Sequence, residues 1–110
     1  MIFAIDIKPL SVNRAWQGRR FSTREKKKYE EKLLLLLPRK IEPGPYYRVH
    51  FDFHIKNCYR IDIDNLFKVT IDCIVKKGII KDDRFIKKIS AEKFESSNEG
   101  FGVEIESIQK

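Results

Sequence analysis

Arg60-Ile61-Asp62-Ile63-Asp64-Asn65-Leu66-Phe67-Lys68, continued through Asp72 to Gly78-Ile79-Ile80-Lys81-Asp82-Asp83, is the stretch whose reading decides this 110-residue chain. Five of the sixteen carboxylates fall between positions 62 and 83. In an extended backbone, residues two apart point to the same side with Cα atoms about 6.5–7 Å apart. Asp62 and Asp64 would then present both carboxylates to one hard cation. Asp64 also suits the N-cap of a helix over about 65–77, because its short side chain accepts a free first-turn amide. Lys68 follows one turn along the same face, and Asp72 one turn further.

Leu66, Val69, Cys73 and the adjoining Ile74 form the other stripe of that helix, which is expected to pack on a sheet. Gly78 is a natural stop after Lys76 and Lys77, whose charges favour a helix C-terminus. Such a helix is about 20 Å long. Residues Ile79 to Asp83, extended and reversed at Gly78, run back about 16 Å. That return brings Asp82 or Asp83 toward the level of Asp62 and Asp64, so the acids are expected to converge.

Phosphodiester cleavage needs an activated water and help for the departing 3′-oxygen. Aspartates around one or two magnesium ions supply both, by lowering the water's pKa and neutralising charge as it develops. In this reading Asp62, Asp64 and one of the Asp82-Asp83 pair are metal ligands, the other aspartate of the pair orienting the loop. Lys68 stabilises the pentavalent phosphate or orients the water. Asp72, on the same helix face, orients Lys68. Taken singly, each feature has a plainer reading: a helix cap at Asp64, an i, i+4 surface pair at Lys68 and Asp72, and a turn at Asp82-Asp83.

Asp62-Ile63-Asp64-Asn65-Leu66, Lys68, Asp72, Gly78 and Asp82-Asp83 resemble the signature of the RusA family of Holliday-junction resolvases, which reads DxDNLxK, then D, then G, then DD at matching spacing. The likeness extends to Pro9-Leu10-Ser11-Val12-Asn13-Arg14 and to the element order. It implies a homodimeric, magnesium-dependent endonuclease that nicks two opposed strands of a four-way DNA junction, with Mn2+ as a possible substitute. The family's catalytic set carries over to Asp62, Asp64, Lys68 and Asp83, and it is the resemblance that selects Asp83 over Asp82. Where relatives can carry an unbroken arginine run before the first aspartate, Lys56-Asn57-Cys58-Tyr59-Arg60 stands here.

Composition fits that substrate. The chain carries +7 at pH 7, while residues 61–83 hold four lysines against five aspartates, so the remainder carries +8. An acidic pocket in a basic body suits a polyanion handled through a cation. With 42% hydrophobic and 35% charged residues, one globular domain spanning 1–110 is expected. No apolar run approaches a membrane span, and the N-terminus lacks a signal pattern, so a cytoplasmic location away from membranes is expected. Cys58 and Cys73 form no CxxC pair, which agrees with a reducing compartment.

Residues 2–7 read as a strand with Phe3, Ile5 and Ile7 on one face, ended by Pro9. From Ser11 to Phe21 the pattern loses its period and becomes a basic loop. Ser22-Thr23-Arg24-Glu25 is a capping-box sequence opening a helix over about 23–37, with Tyr29, Leu33, Leu36 and Leu37 as its buried stripe. From Arg14 to Lys32 eight basic residues face three acidic ones. That excess reads as a phosphate-binding surface. The DNA-contact candidates are Asn13, Arg14, Trp16, Arg19, Arg20 and Arg24, joined by Lys56 and Arg60, with Trp16 offering a stacking platform.

Residues 46–56 alternate cleanly, Tyr47, Val49, Phe51, Phe53 and Ile55 inward and Arg48, His50, Asp52, His54 and Lys56 outward. His50, Asp52 and His54 have the types that bind zinc or copper, but a flat i, i+2, i+4 row rarely encloses an ion without another ligand. They are read as polar residues of a solvated sheet face or the flank of a DNA channel. Residues 84–94 form a strand with Ile89 and Ala91 inward. A turn at 96–100 leads to a last strand bearing Phe101, Val103 and Ile105, antiparallel to its predecessor. The expected fold is α/β (α+β), a single β-α-β-α-β-β domain with a mixed four-stranded sheet and two main helices. Two symmetric nicks suit a two-fold dimer, and Leu33–Leu37, apolar all round, points to its interface. The alternatives are a nuclease for other branched or single-stranded DNA, and a catalytically silent DNA-binding protein, which gains nothing from carboxylates set beside phosphates.

Overall fold

Phe51 and Phe53 lie at the centre of the molecule, and the sheet is arranged about the strand that carries them. A computed structural model describes residues 1–10, 16–17, 21–22 and 24–109, with side chains described for 1–10 and 24–109. In chain order the elements are β1 (Ile2–Ile5), β2 (Trp16–Gln17), β3 (Phe21–Ser22), α1 (Arg24–Leu36), β4 (Tyr46–Ile55), α2 (Asp64–Lys77), β5 (Ile86–Glu95) and β6 (Gly100–Ile108). Short 3-10 turns at Cys58–Arg60 and Asp83–Phe85 precede α2 and β5. The main sheet is mixed, in the order β1-β6-β4-β5, while β2 and β3 pair with each other.

The inward row of β4 is buried throughout: Tyr47, Val49, Phe51, Phe53 and Ile55 are all at most 2% exposed. Phe51 stacks on Phe53 at 5.4 Å and on Phe67 of α2 at 6.0 Å, while Phe53 meets Phe101 of β6. Each ring removed from water contributes on the order of 2 kcal/mol. The predicted α2 stripe of Leu66, Val69, Cys73 and Ile74 is wholly buried against this row. Tyr29 of α1 and Thr70 of α2 share a buried hydrogen bond of 3.3 Å. Both helices therefore cover one face of the sheet. The other face carries the outward residues of β4.

Gly78 ends α2 as the sequence predicts, in the left-handed region at φ 88°. Its N–H bonds Val75 O at 3.0 Å, and Ile79 N–H bonds Ile74 O at 3.2 Å, which is the paired capping arrangement that glycine permits. Ile79 and Ile80 then plug into the core, anchoring the return toward Asp82 and Asp83.

Several expectations are corrected. The first strand stops at Ile5, although Phe3, Ile5 and Ile7 do turn inward. Within the stretch read as a basic loop, the backbone at 16–17 and 21–22 forms a short antiparallel pair. Leu36 is 46% exposed, because the buried row of α1 follows the i, i+4 series through Tyr29, Leu33 and Leu37. Ile89 is 40% exposed on the edge strand, beyond the cover of the helices. The last strand forms no hairpin with β5. It pairs antiparallel with β4 and β1, and β4 runs parallel to β5. Such placement buries the most apolar strand between two neighbours, and the connection crosses the end of β4, where Ser96 N–H bonds Ile55 O at 3.1 Å. Cys58 and Cys73 are free and buried.

Candidate active site

Between β4 and α2 the chain makes a tight, braced turn that carries Asp62. Asn57 has a left-handed backbone at φ 55°, a conformation asparagine tolerates. The Glu95 carboxylate at the end of β5 accepts the N–H groups of Asn57 at 2.9 Å and Cys58 at 3.1 Å. Those two amides hold Glu95 below the usual carboxylate range. Lys93 Nζ donates to Ile61 O at 2.8 Å and lies over the Tyr59 ring. Sequence reading missed both residues. Their signal was a lysine and a glutamate continuing the inward row of β5 after Ile89 and Ala91, where an apolar residue is the default.

Asp62 and Asp64 do not lie on an extended strand. Ile63 is helical at φ −61° and ψ −38°, and Asp64 is the first residue of α2 without a side-chain cap. Asn65 N–H bonds Asp62 O, and Leu66 N–H bonds Ile63 O, both at 3.1 Å, so a tight turn replaces the expected cap. Both carboxylates are exposed, and Asp64 benefits from the positive end of the helix dipole. Asp62 and Asn65 line a cleft of about 500 Å³ with Lys8, Pro9, Leu10, Glu25, Lys56, Asn57, Arg60 and Ile61. Three cations and two carboxylates, Asp62 and Glu25, thus border the cleft.

Lys68 and Asp72 follow Asp64 on the exposed side of α2. Partial burial, and then the facing Asp83 carboxylate, raise the pKa of Asp72, while Lys26 and Lys68 oppose the shift. The return loop therefore brings Asp83 within electrostatic reach of Asp72, midway along the helix. Asp82 is used locally: its carboxylate accepts Arg84 N–H at 3.1 Å and lies 3.7 Å from the Arg84 guanidinium. The Arg84 amide is the main cause of its lowered pKa. Arg24 is exposed at the start of α1. Asn13, Arg14, Arg19 and Arg20, and the side chain of Trp16, lie outside the described residues.

As donors, Asp62, Asp64 and Asp83 offer oxygen alone, the set that suits Mg2+. They do not form a tight ligand cluster. Among the described residues, a group of His, Cys, Asp or Glu whose ligand atoms all lie within 4.8 Å of one another is instead His50, Asp52 and Glu92, on the opposite sheet face. His54 stands apart from it, stacked on Phe94 at 4.9 Å. A magnesium ion keeps several waters and takes only one or two carboxylates directly, so three aspartates need not touch one another to share one.

No described helix is long and apolar enough to cross a membrane. A family model described as Endodeoxyribonuclease RusA matches residues 7–106 of the chain. No curated protein matches it.

Proposed function

The chain belongs to the RusA endodeoxyribonuclease family, metal-dependent nucleases of the Holliday junction, and we propose that it resolves four-way DNA junctions by paired, symmetric, magnesium-dependent nicks as a homodimer. The family match spans both the aspartate signature and the cleft. The observation that carries the finer reading is the opening of that cleft beside Asp62, with Lys8, Lys56 and Arg60 on its walls.

Asp62, Asp64 and Asp83 would hold the ion, which would supply an acidified water and neutralise charge on the departing 3′-oxygen. The remaining tasks belong to the chain. Lys68 offers its ammonium to the phosphate oxygens, whose charge grows in the transition state. Asp72 keeps Lys68 aimed along the helix face, and Asp82 fixes the turn that presents Asp83. Lys8, Lys56 and Arg60 grip the flanking phosphates, and Arg14, Arg19, Arg20 and Arg24 add positive charge for the same polyanion. Glu95 and Lys93 hold the Asp62 turn against β5, which limits misplacement of the reacting groups.

Exposed apolar residues at the end of α1 support the homodimer. Leu33 and Leu37 enter the core, whereas Leu35 is 83%, Leu36 46% and Ile41 77% exposed. Such a patch suits a second copy of the chain.

Single replacement of Asp62, Asp64 or Asp83 by Asn, and of Lys68 by Met, tests the assignment. Each variant is expected to cut a four-way junction at least about a hundredfold more slowly while still shifting it on a native gel in Ca2+. Near wild-type cleavage by any one of them removes that residue from the centre.

A further inference from the structure

The uncovered face of the sheet carries a second constellation that the nuclease reading does not use. His50 and Asp52 project from β4, and the parallel register sets Ser90 beside His50 and Glu92 beside Asp52 on β5. One donor of each of His50, Asp52 and Glu92 lies within 4.8 Å of the other two. His50 Nε2 and Asp52 Oδ1 are 2.9 Å apart, already close to the spacing of about 3 Å between ligands of a small divalent ion. Glu92 is exposed, so its side chain is free to swing toward the same point.

The imidazole is aimed. His50 Nδ1 lies 2.6 Å from Ser90 Oγ. In the tautomer that donates Nε2–H, His50 simply hydrogen-bonds Asp52. In the tautomer that donates Nδ1–H to Ser90, Nε2 keeps its lone pair, and an ion seated beside the Nε2–Oδ1 pair takes the place of the ring proton. A metal-ligating histidine ordinarily donates its other ring N–H to such a partner. Of the two cations that line the neighbouring cleft, Arg48 is ion-paired with Glu106, and Lys88 stands on β5. Glu104, the register partner of His50 on β6, adds negative potential, and it lines with His50 and Ser90 a shallow cleft of about 320 Å³.

We propose that His50, Asp52 and Glu92 form a transition-metal site, of the Zn2+ or Co2+ class, on the open face of the sheet, with Ser90 orienting the imidazole. One nitrogen and two carboxylates favour such ions over Mg2+, which prefers oxygen alone. The missing ligand of the flat His50, Asp52, His54 row comes from the neighbouring strand, which one chain segment cannot reveal. A bound ion ties the edge strand β5 to β4. The site is separate from Asp62, Asp64 and Asp83, and stands or falls independently of the nuclease reading.

The test is a Co2+ titration of the intact protein followed by visible absorption, together with Zn2+ titration of histidine-labelled protein followed by ring 15N shifts. One equivalent is expected to bind in millimolar Mg2+, moving His50 Nε2 and sparing His54. His50→Asn and Glu92→Gln are expected to abolish that equivalent, and Asp64→Asn to retain it. Ser90→Ala, which keeps every ligand, is expected to weaken it about tenfold. Unmoved His50 signals, binding unchanged in folded His50→Asn, or loss of all Co2+ binding in Asp64→Asn overturns the site.

Discussion

Asp72 occupies a position where stability and activity pull in opposite directions. Its raised pKa, caused by burial and then by Asp83, means that the folded protein resists its ionisation. The stability it contributes is full below the ordinary aspartate value of about 4 and is lost as pH rises through the higher folded value. At pH 7 the ionised carboxylate is therefore a burden on the metal-free protein. Asp72→Asn is expected to raise Tm in EDTA at pH 7, with the gain shrinking toward pH 4, and to lower junction cleavage about tenfold by leaving Lys68 less well directed. Thermal melts across that pH range check the first effect, and initial rates the second. The return of Asp83 toward helix α2 was legible in the spacing from Gly78, and the structure brings it within reach of Asp72. The roles of Lys93 and Glu95 were not, because their partners are backbone groups of a turn more than thirty positions away.

The turn from Asn57 to Asp62 shows what elements add to residues. It stays in place because β5 supplies an acceptor for two of its amides and a donor for one carbonyl. Glu95 is held below its ordinary value, so its contribution is present above about pH 4.3 and lost as pH falls through the lower folded value. Glu95→Gln is expected to speed amide exchange at Asn57 and Cys58 at pH 7 by about tenfold, with the difference from wild type vanishing under acid conditions, and to reduce cleavage without weakening junction binding. Exchange measured by mass spectrometry or NMR decides it, and equal protection in the two proteins at pH 7 refutes the brace. Helix α2 and strand β4 were readable from periodicity alone: every residue of the two expected stripes is buried, and α2 buries Thr70 and Ile71 besides. The pairing of β6 was not. Alternation tells which face of a strand is buried but not which neighbour it bonds, and a short turn made the hairpin the simplest guess.

Across the whole molecule, one sheet face is covered by two helices, and that covered side also carries the acidic row and the basic cleft. The topology explains the reach of the signature: α2 crosses from β4 to the parallel β5, so the chain must return past the helix and bring Asp83 back alongside Asp72. A net charge of +7 adds long-range attraction for DNA, which salt weakens. The measurement that tests the central claim most directly is cleavage of a synthetic mobile four-way junction in magnesium, against linear duplex of the same sequence, with Asp64→Asn alongside. The account predicts paired nicks at symmetric positions on two opposed strands, confined to the junction and absent in the variant. Tight junction binding with no cleavage in magnesium or manganese would contradict it and leave a DNA-binding protein whose acidic row serves another purpose.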